Sequence, residues 1–511
     1  MNRFAAAAIA AACLTLAMTD TPRKPVKTAS GLVSGTAGRN PAVSVFKGIP
    51  FGAPPVGPLR WHAPTAPASW TGVRKGDAFS PSCIQTIVTE KKPWTYEFMA
   101  HGEVSEDCLY LNVWTPAASP SARRPVFVYI YGGGNVEGSG SIPAYDGEGL
   151  ASKGLVVVTF NYRVGVLGFL SHPDLNKESS YHASGNYGLL DQIAAVRWVH
   201  DNIAAFGGDP DRVTVAGQSA GASAVHSLTA SPLAKGLFHR AIADSGGGGG
   251  GARTMADQEA DGVKFATAKK ANGIAELRAM PWQDVVVSVP GLRFAPVPDG
   301  YALPAAVRET FAAGRQNDVP TLTGINADEG GAVPHPATTL ESFQRDARQR
   351  YGASADEFLK LYPAANDEEA RRAQNDSARD RARTTLYLWA MDRGKTAKTN
   401  AFTYFWTHTL PGPDADQYGA FHTSEVPYVL NTLSMSSRPF TPKDHQIAAT
   451  LSSYWANFAA AGDPNAKGLA AWPAVAKDAP QTMEVGDDFR PMPIAGTPAR
   501  IEFFLRVLAV R

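Results

Sequence analysis

Between Leu109 and Ser245, short and nearly uncharged runs alternate with segments whose apolar residues return every three or four positions. This is the pattern of a parallel sheet covered by helices on both faces. Val126 to Tyr131 and Leu155 to Asn161 are β-branched and aromatic, bracketed by Gly and Pro, and predict buried strands. Leu189, Ile193, Val196, Val199, Ile203 and Phe206 lie on one face of a predicted helix, which Gly207-Gly208-Asp209-Pro210 ends. A strand at Arg212 to Ala216, a helix at Ser219 to Ala230 and a strand at Arg240 to Asp244 continue the βαβ rhythm. Further strands are expected at Thr321 to Ile325 and Ala401 to Trp406. Thr441 as cap, Pro442 in the first turn, Asp444 three residues after the cap and Gly462 beyond the end predict a helix packed through Ile447, Leu451, Trp455 and Phe458. The segments Arg253 to Pro320 and His335 to Asn400 are mostly helical in pattern and are expected as insertions around the sheet. Asp367 to Arg383 mixes both signs at helical spacing, the pattern of a solvated face. The expected class is α/β, with a large, mostly parallel central sheet.

Composition adds limits. Of 511 residues, 44% are apolar, 19% charged and 10% aromatic, ordinary for a globular chain with a large core. Lys plus Arg number 48 against 47 Asp plus Glu, a net charge of +1, so no field favours a nucleic-acid partner. The basic start at Arg3 and the apolar run Phe4 to Met18, too short to span a bilayer, predict a signal peptide over 1–21 and export to periplasm or medium. Cys13 lies too close to the N-terminus, and lacks the leucine three residues earlier, for a lipoprotein site. The remaining residues, 22–511, show no internal repeat or long linker and are expected as one domain without membrane insertion. In an oxidising compartment the two remaining cysteines, Cys83 and Cys108, should pair.

Gly217-Gln218-Ser219-Ala220-Gly221 matches the nucleophile elbow G-x-S-x-G and lies between a predicted strand and a predicted helix, where the turn would display the Ser219 hydroxyl at the sheet's carboxyl edge. A nucleophilic serine needs donors for the oxyanion formed on the attacked carbonyl. Tyr131-Gly132-Gly133-Gly134 follows a buried strand upstream, in the place of an HGGG-type loop, so the N–H groups of Gly133, Gly134 and Ala220 are the candidate oxyanion hole.

These motifs, with Glu106 to Trp114, Asn161-Tyr162-Arg163, the stretch Gly185 to Pro210, Ser231-Pro232 and Asp244-Ser245-Gly246, resemble the type B carboxylesterases, the α/β-hydrolase family that includes the cholinesterases. The likeness covers nearly all of the chain beyond the signal segment. It implies a Ser-Glu-His triad that cleaves carboxylic esters through an acyl-enzyme, without a cofactor. Asn326-Ala327-Asp328-Glu329-Gly330 resembles the acid loop and singles out Glu329 ahead of Asp328. Gly419 to Tyr428 resembles the histidine loop and singles out His422, with His408 and His445 as competitors. Ser245 resembles a serine that supports the acid by a hydrogen bond.

Three departures stand out. Gln218 replaces the Glu that relatives usually carry beside the nucleophile, and Asn135 replaces a bulky apolar residue, which would place an amide at a polar acyl pocket. The hexaglycine at 246–251 is a loop that could enlarge that pocket. It also satisfies G-x-G-x-x-G, but trivially, without a helix opening at the glycines, so no dinucleotide site is expected. No His or Cys pair has metal-ligand spacing. Trp282, Phe294, Tyr301, Phe311 and Trp389 are candidates to line a gorge, with core packing the commoner fate of such residues. The alternatives to a small-molecule esterase are a noncatalytic cholinesterase-like binding protein, and the same site turned to amides, carbamates or lactones. Oligomeric state is not legible.

Overall fold

The fold is seen in a computed structural model that describes residues 23–246, 253–332 and 338–509. The signal segment and residues 247–251 of the hexaglycine lie outside them. A continuous sheet runs in the order Arg23–Lys27, Leu32–Ala37, Ser44–Pro50, Tyr110–Thr115, Val156–Phe160, Arg124–Ile130, Gly208–Gln218, Arg240–Asp244, Thr321–Asn326, Ala401–Trp406, Gln481–Val485 and Arg490–Pro493, with Val73–Lys75 paired beside the second strand. From Val156–Phe160 to Gln481–Val485 neighbouring strands are parallel, and the strands beyond them in that order pair antiparallel, while the side strand Val73–Lys75 pairs parallel with Leu32–Ala37. This is the expected α/β-hydrolase architecture. The one sheet draws strands from Arg23 to Pro493.

The parallel strands are buried on both faces, as their uninterrupted apolar runs require: all five residues of Val156–Phe160 and all six of Ala401–Trp406 are buried. The strand before the elbow is longer than its apolar run. It begins at Gly208, where Gly-Asp-Pro reads locally as a helix stop, and its pairing shifts register between Gly208 and Val213. The helix Pro442–Ala461 has the expected capping box between Thr441 and Asp444 and a left-handed Gly462 at its end. Its Ile447, Leu451, Trp455 and Phe458 are all fully buried.

The insertions are helical, including Met255–Ala268, Leu340–Tyr351 and Asp367–Gly394. In the last of these the charged run is not wholly solvated: Asp380 and Arg383 are buried and paired with each other, and the Tyr362 hydroxyl donates to Asp380 (2.6 Å). A charge at the helix's inner face is tolerated because such partners replace water.

Cys83 and Cys108 are buried and joined across a separation of 25 residues. Replacing both by alanine is expected to cost about 3 kcal/mol of unfolding free energy, from the loop entropy restored to the unfolded chain. Urea titration measures it; a loss under about 1 kcal/mol would contradict the assignment of a stabilising crosslink.

Candidate active site

Ser219 sits on the turn between the strand Gly208–Gln218 and the helix Ala220–Ala230, with φ 60° and ψ −121°. This conformation is nearly reserved for glycine and costs on the order of 1–3 kcal/mol. The surroundings hold it there. The Ser219 N–H donates to the carbonyl of Asp244 on the next strand (2.8 Å), and the Ser219 carbonyl accepts from Ser223 (3.0 Å). The flanking glycines are needed for space, since a Cβ on Gly221 would lie 2.1 Å from the Ile130 carbonyl oxygen and one on Gly217 only 2.6 Å from Gly221. Gly132 is constrained likewise, because its Cβ would meet the Gln218 carbonyl at 2.8 Å and the Ser219 Cβ at 3.0 Å.

The glycine loop follows the strand Arg124–Ile130 and crosses above the elbow. Gly133 and Gly134 have φ of 96° and 62°. Among the described residues, neither N–H donates to a protein acceptor, and Ala220 begins its helix, where an amide has no intrahelical partner. Three backbone donors therefore remain free beside Ser219.

His422 and Glu329 are 93 residues apart in sequence and meet through the ends of two strands, Thr321–Asn326 and Ala401–Trp406. Glu329 Oε2 lies 2.5 Å from His422 Nδ1, and its Oε1 accepts from the Asn326 N–H (2.8 Å). Asp328 holds the loop instead of the ring: its carboxylate accepts from the Ala420 N–H (3.0 Å) and from Arg379 Nη2 (2.7 Å). Asn326 Nδ2 ties the same loop by donating to the Phe421 carbonyl (2.7 Å) and to Glu425 (2.5 Å). Burial works against protonation of His422, but the hydrogen bond and charge of Glu329 outweigh it, so its pKa lies above the ordinary value.

Behind the ring lie two acids that sequence reading did not find as a pair. Burial raises Glu425 to about 8, reinforced by Asp244 and opposed by the Asn326 hydrogen bond. Burial likewise raises Asp244 to about 7, against a hydrogen bond from Tyr404. Glu329 is the larger influence that raises the His422 pKa, and Glu425, pushed toward its neutral form by burial, adds to it less. Nothing in the chain signals these shifts, because both depend on burial by distant elements.

Ser219 and His422 share one cavity of about 390 Å³, lined also by Gly132, Gly133, Gly134, Gln218, Trp94, Phe98, Met99, Ile142, Tyr145, Arg293 and Phe294. Its apolar wall comes largely from the irregular segment around Trp94 to Ala100, where the sequence has no periodicity to flag it. Of the five gorge candidates only Phe294 lines the cavity. Phe311 and Trp389 pack around the buried His226, Tyr301 stacks on Tyr181, and Trp282 packs with the apolar cluster beneath Phe294.

Other sequence expectations fare differently. The Ser245 hydroxyl is buried without a hydrogen-bond partner among the described residues, so it does not support Glu329; Asn326 N–H and His422 fill that carboxylate. Asn135 does not line the cavity, because its backbone turns left-handed and its carbonyl accepts from Gly165 (2.6 Å). The polar acyl pocket inferred from it loses its basis. Gln218 does reach the ring, its amide nitrogen lying 3.2 Å from His422 Nε2. His408 is held between Asp444 (2.9 Å) and Asp487 (2.6 Å), and His445 is exposed; neither lines the cavity. Among the described residues no group of three or more His, Cys, Asp or Glu could hold a metal, and no helix is long and apolar enough to cross a membrane.

The carboxylesterase family profile matches residues 22–504. The fumonisin B1 esterase of Sphingopyxis macrogoltabida is 38% identical over 481 residues, 89% of this chain and 85% of that protein. The para-nitrobenzyl esterase of Bacillus subtilis is 34% identical over 90% of this chain and 94% of its own length. The human cocaine esterase is 33% identical over 88% and 86%.

Proposed function

Since the chain belongs to the carboxylesterase family and hydrolyses carboxylic esters as a serine hydrolase, we propose that Ser219, Glu329 and His422 form its catalytic triad. The observation that carries this assignment is the 2.5 Å contact of Glu329 with His422 Nδ1, in a ring that lines one cavity with Ser219 and whose Nε2 is approached by the Gln218 amide nitrogen at 3.2 Å. In the neutral imidazole Glu329 fixes the proton on Nδ1, so Nε2 is the acceptor. Nε2 takes the Ser219 proton as Oγ attacks the ester carbonyl, and the N–H groups of Gly133, Gly134 and Ala220 receive the developing oxyanion. The imidazolium returns the proton to the leaving alcohol. Water, deprotonated by the same nitrogen, then releases the acid and regenerates Ser219.

A fluorophosphonate tests the assignment: it should label the protein on the peptide bearing Ser219, and no label should appear in Ser219→Ala. Labelling elsewhere would refute it, and lack of any labelling would favour the noncatalytic reading. Rates on p-nitrophenyl esters beside matched anilides rank ester against amide cleavage.

The raised pKa of His422 sets a pH dependence. Only the neutral base accepts the serine proton, so kcat/KM should fall as pH drops, with its inflection above the unperturbed value of about 6.5. In Gln218→Glu a carboxylate would replace the amide next to His422 Nε2, stabilise the cation and move the inflection up by about 1 unit. A flat profile between pH 5 and 8 would remove His422 from its role, and an unmoved inflection in the variant would remove Gln218 from contact with it.

Residues 1–21 are proposed as an export signal, a reading supported by the Cys83–Cys108 bridge. The continuous sheet from Arg23 to Pro493 supports a single catalytic domain over 22–511.

A further inference from the structure

We infer that the preferred substrates are esters carrying a free carboxylate besides the scissile ester, and that Arg293 on the cavity wall recognises it. This inference rests on the assignment of Ser219 as nucleophile, and concerns what else the cavity holds. Its described lining is largely apolar, with three ionic side chains besides the catalytic ring: Lys91, Glu137 and Arg293. Lys91 and Glu137 answer one another at 3.6 Å. Arg293 has no carboxylate partner among the described residues.

The backbone at Arg293 is clamped. Arg253, itself paired with Asp261, donates to the Arg293 carbonyl (3.0 Å). On either side Leu292 packs against an apolar cluster and Phe294 is buried in it, edge-on to Phe265 at 5.7 Å. The Arg293 side chain, exposed at the cavity wall, is thus carried on a fixed base.

A bound substrate changes that balance. An apolar ester tail filling the cavity displaces part of the water around the exposed Arg293 guanidinium without replacing its hydrogen bonds, which carries a cost. A carboxylate at the same place replaces the lost water with charge-assisted, bidentate hydrogen bonds. The site therefore discriminates by what it leaves unpaired as well as by what it attracts.

The experiment compares kcat/KM for matched pairs in which a carboxylate is exchanged for an isopropyl group of similar shape. On the acyl side these are the mono-p-nitrophenyl ester of adipic acid and p-nitrophenyl 6-methylheptanoate. On the alcohol side they are the butanoates of 5-hydroxypentanoate and of 5-methylhexanol. The charged-to-uncharged ratio in one pair should fall about tenfold in Arg293→Ala and less in Arg293→Lys, which keeps the charge but not the fork. In the wild-type protein the same ratio should fall as sodium chloride rises from about 20 to about 500 mM. The pair that responds shows on which side of the ester the carboxylate sits. Ratios that are the same in all three proteins, or flat with salt in the unaltered one, overturn the inference while turnover of the uncharged esters leaves the hydrolase assignment standing. If the wild type turns over none of the esters and takes no fluorophosphonate at Ser219, that assignment fails and takes this inference with it.

Discussion

Ser219→Ala is expected to lower kcat for ester hydrolysis by about 10⁵- to 10⁶-fold, the scale seen when the nucleophile of a serine hydrolase is removed. The fold should survive. The Ser219 hydroxyl makes no hydrogen bond among the described residues, and the backbone contacts to Asp244 and Ser223 do not depend on it. Alanine at φ 60° carries the same strain as serine, so the melting temperature should stay within a few degrees. Ser219→Gly separates catalysis from strain. It is expected to be equally inactive yet more stable than Ser219→Ala by about 1 kcal/mol, because glycine relieves a conformation that a side chain opposes, net of its greater freedom in the unfolded chain. Activity within about tenfold of wild type in either variant would show that another group attacks the ester.

The parts of the molecule that could be read from the chain are those in which local pattern and tertiary role coincide. Val156–Phe160 and Ala401–Trp406 are buried on both faces, so their apolar runs mark them without help from neighbours. The elbow carries its own steric requirement at Gly217 and Gly221. The antiparallel strands Arg23–Lys27 and Leu32–Ala37 were not legible because they lie near the sheet's edge, half exposed, and alternate too weakly to stand out from loop. Ser245 and Asn135 failed for a related reason. Each is the right residue type at a suggestive position, but left-handed backbone at both and competing donors at Glu329 decide where the side chains can act. Family resemblance placed Glu329 ahead of Asp328. Its physical basis emerges only in three dimensions, where Asp328 is used to bind the Ala420 amide and Arg379. Trp94 and Phe98 come from a stretch without periodicity, and Glu425 looks like any loop glutamate until burial shifts it.

Glu329→Gln is the second large effect, an expected loss of about 10⁴-fold in kcat with little change in KM, as when the acid of a comparable triad becomes an amide. The carboxylate presents two acceptors to two donors, the Asn326 N–H at 2.8 Å and the His422 Nδ1–H at 2.5 Å. An amide has one acceptor and one donor end. With its oxygen toward Asn326, its NH₂ faces Nδ1, forces the imidazole proton onto Nε2 and leaves no lone pair for the Ser219 proton. Turned the other way, its NH₂ opposes the Asn326 N–H and leaves two donors in conflict. The missing charge has a further consequence. Glu329 holds the pKa of His422 up against burial, so the acid-side inflection of whatever activity remains should move to lower pH than in the wild type. Asp328 cannot stand in, since its oxygens are engaged by Ala420 and Arg379. Asp328→Asn should therefore loosen the histidine loop, lowering stability and activity together, while leaving the inflection near its wild-type position. A 10⁴-fold loss with a displaced inflection in Asp328→Asn, and less than tenfold in Glu329→Gln, would transfer the acid's role to Asp328.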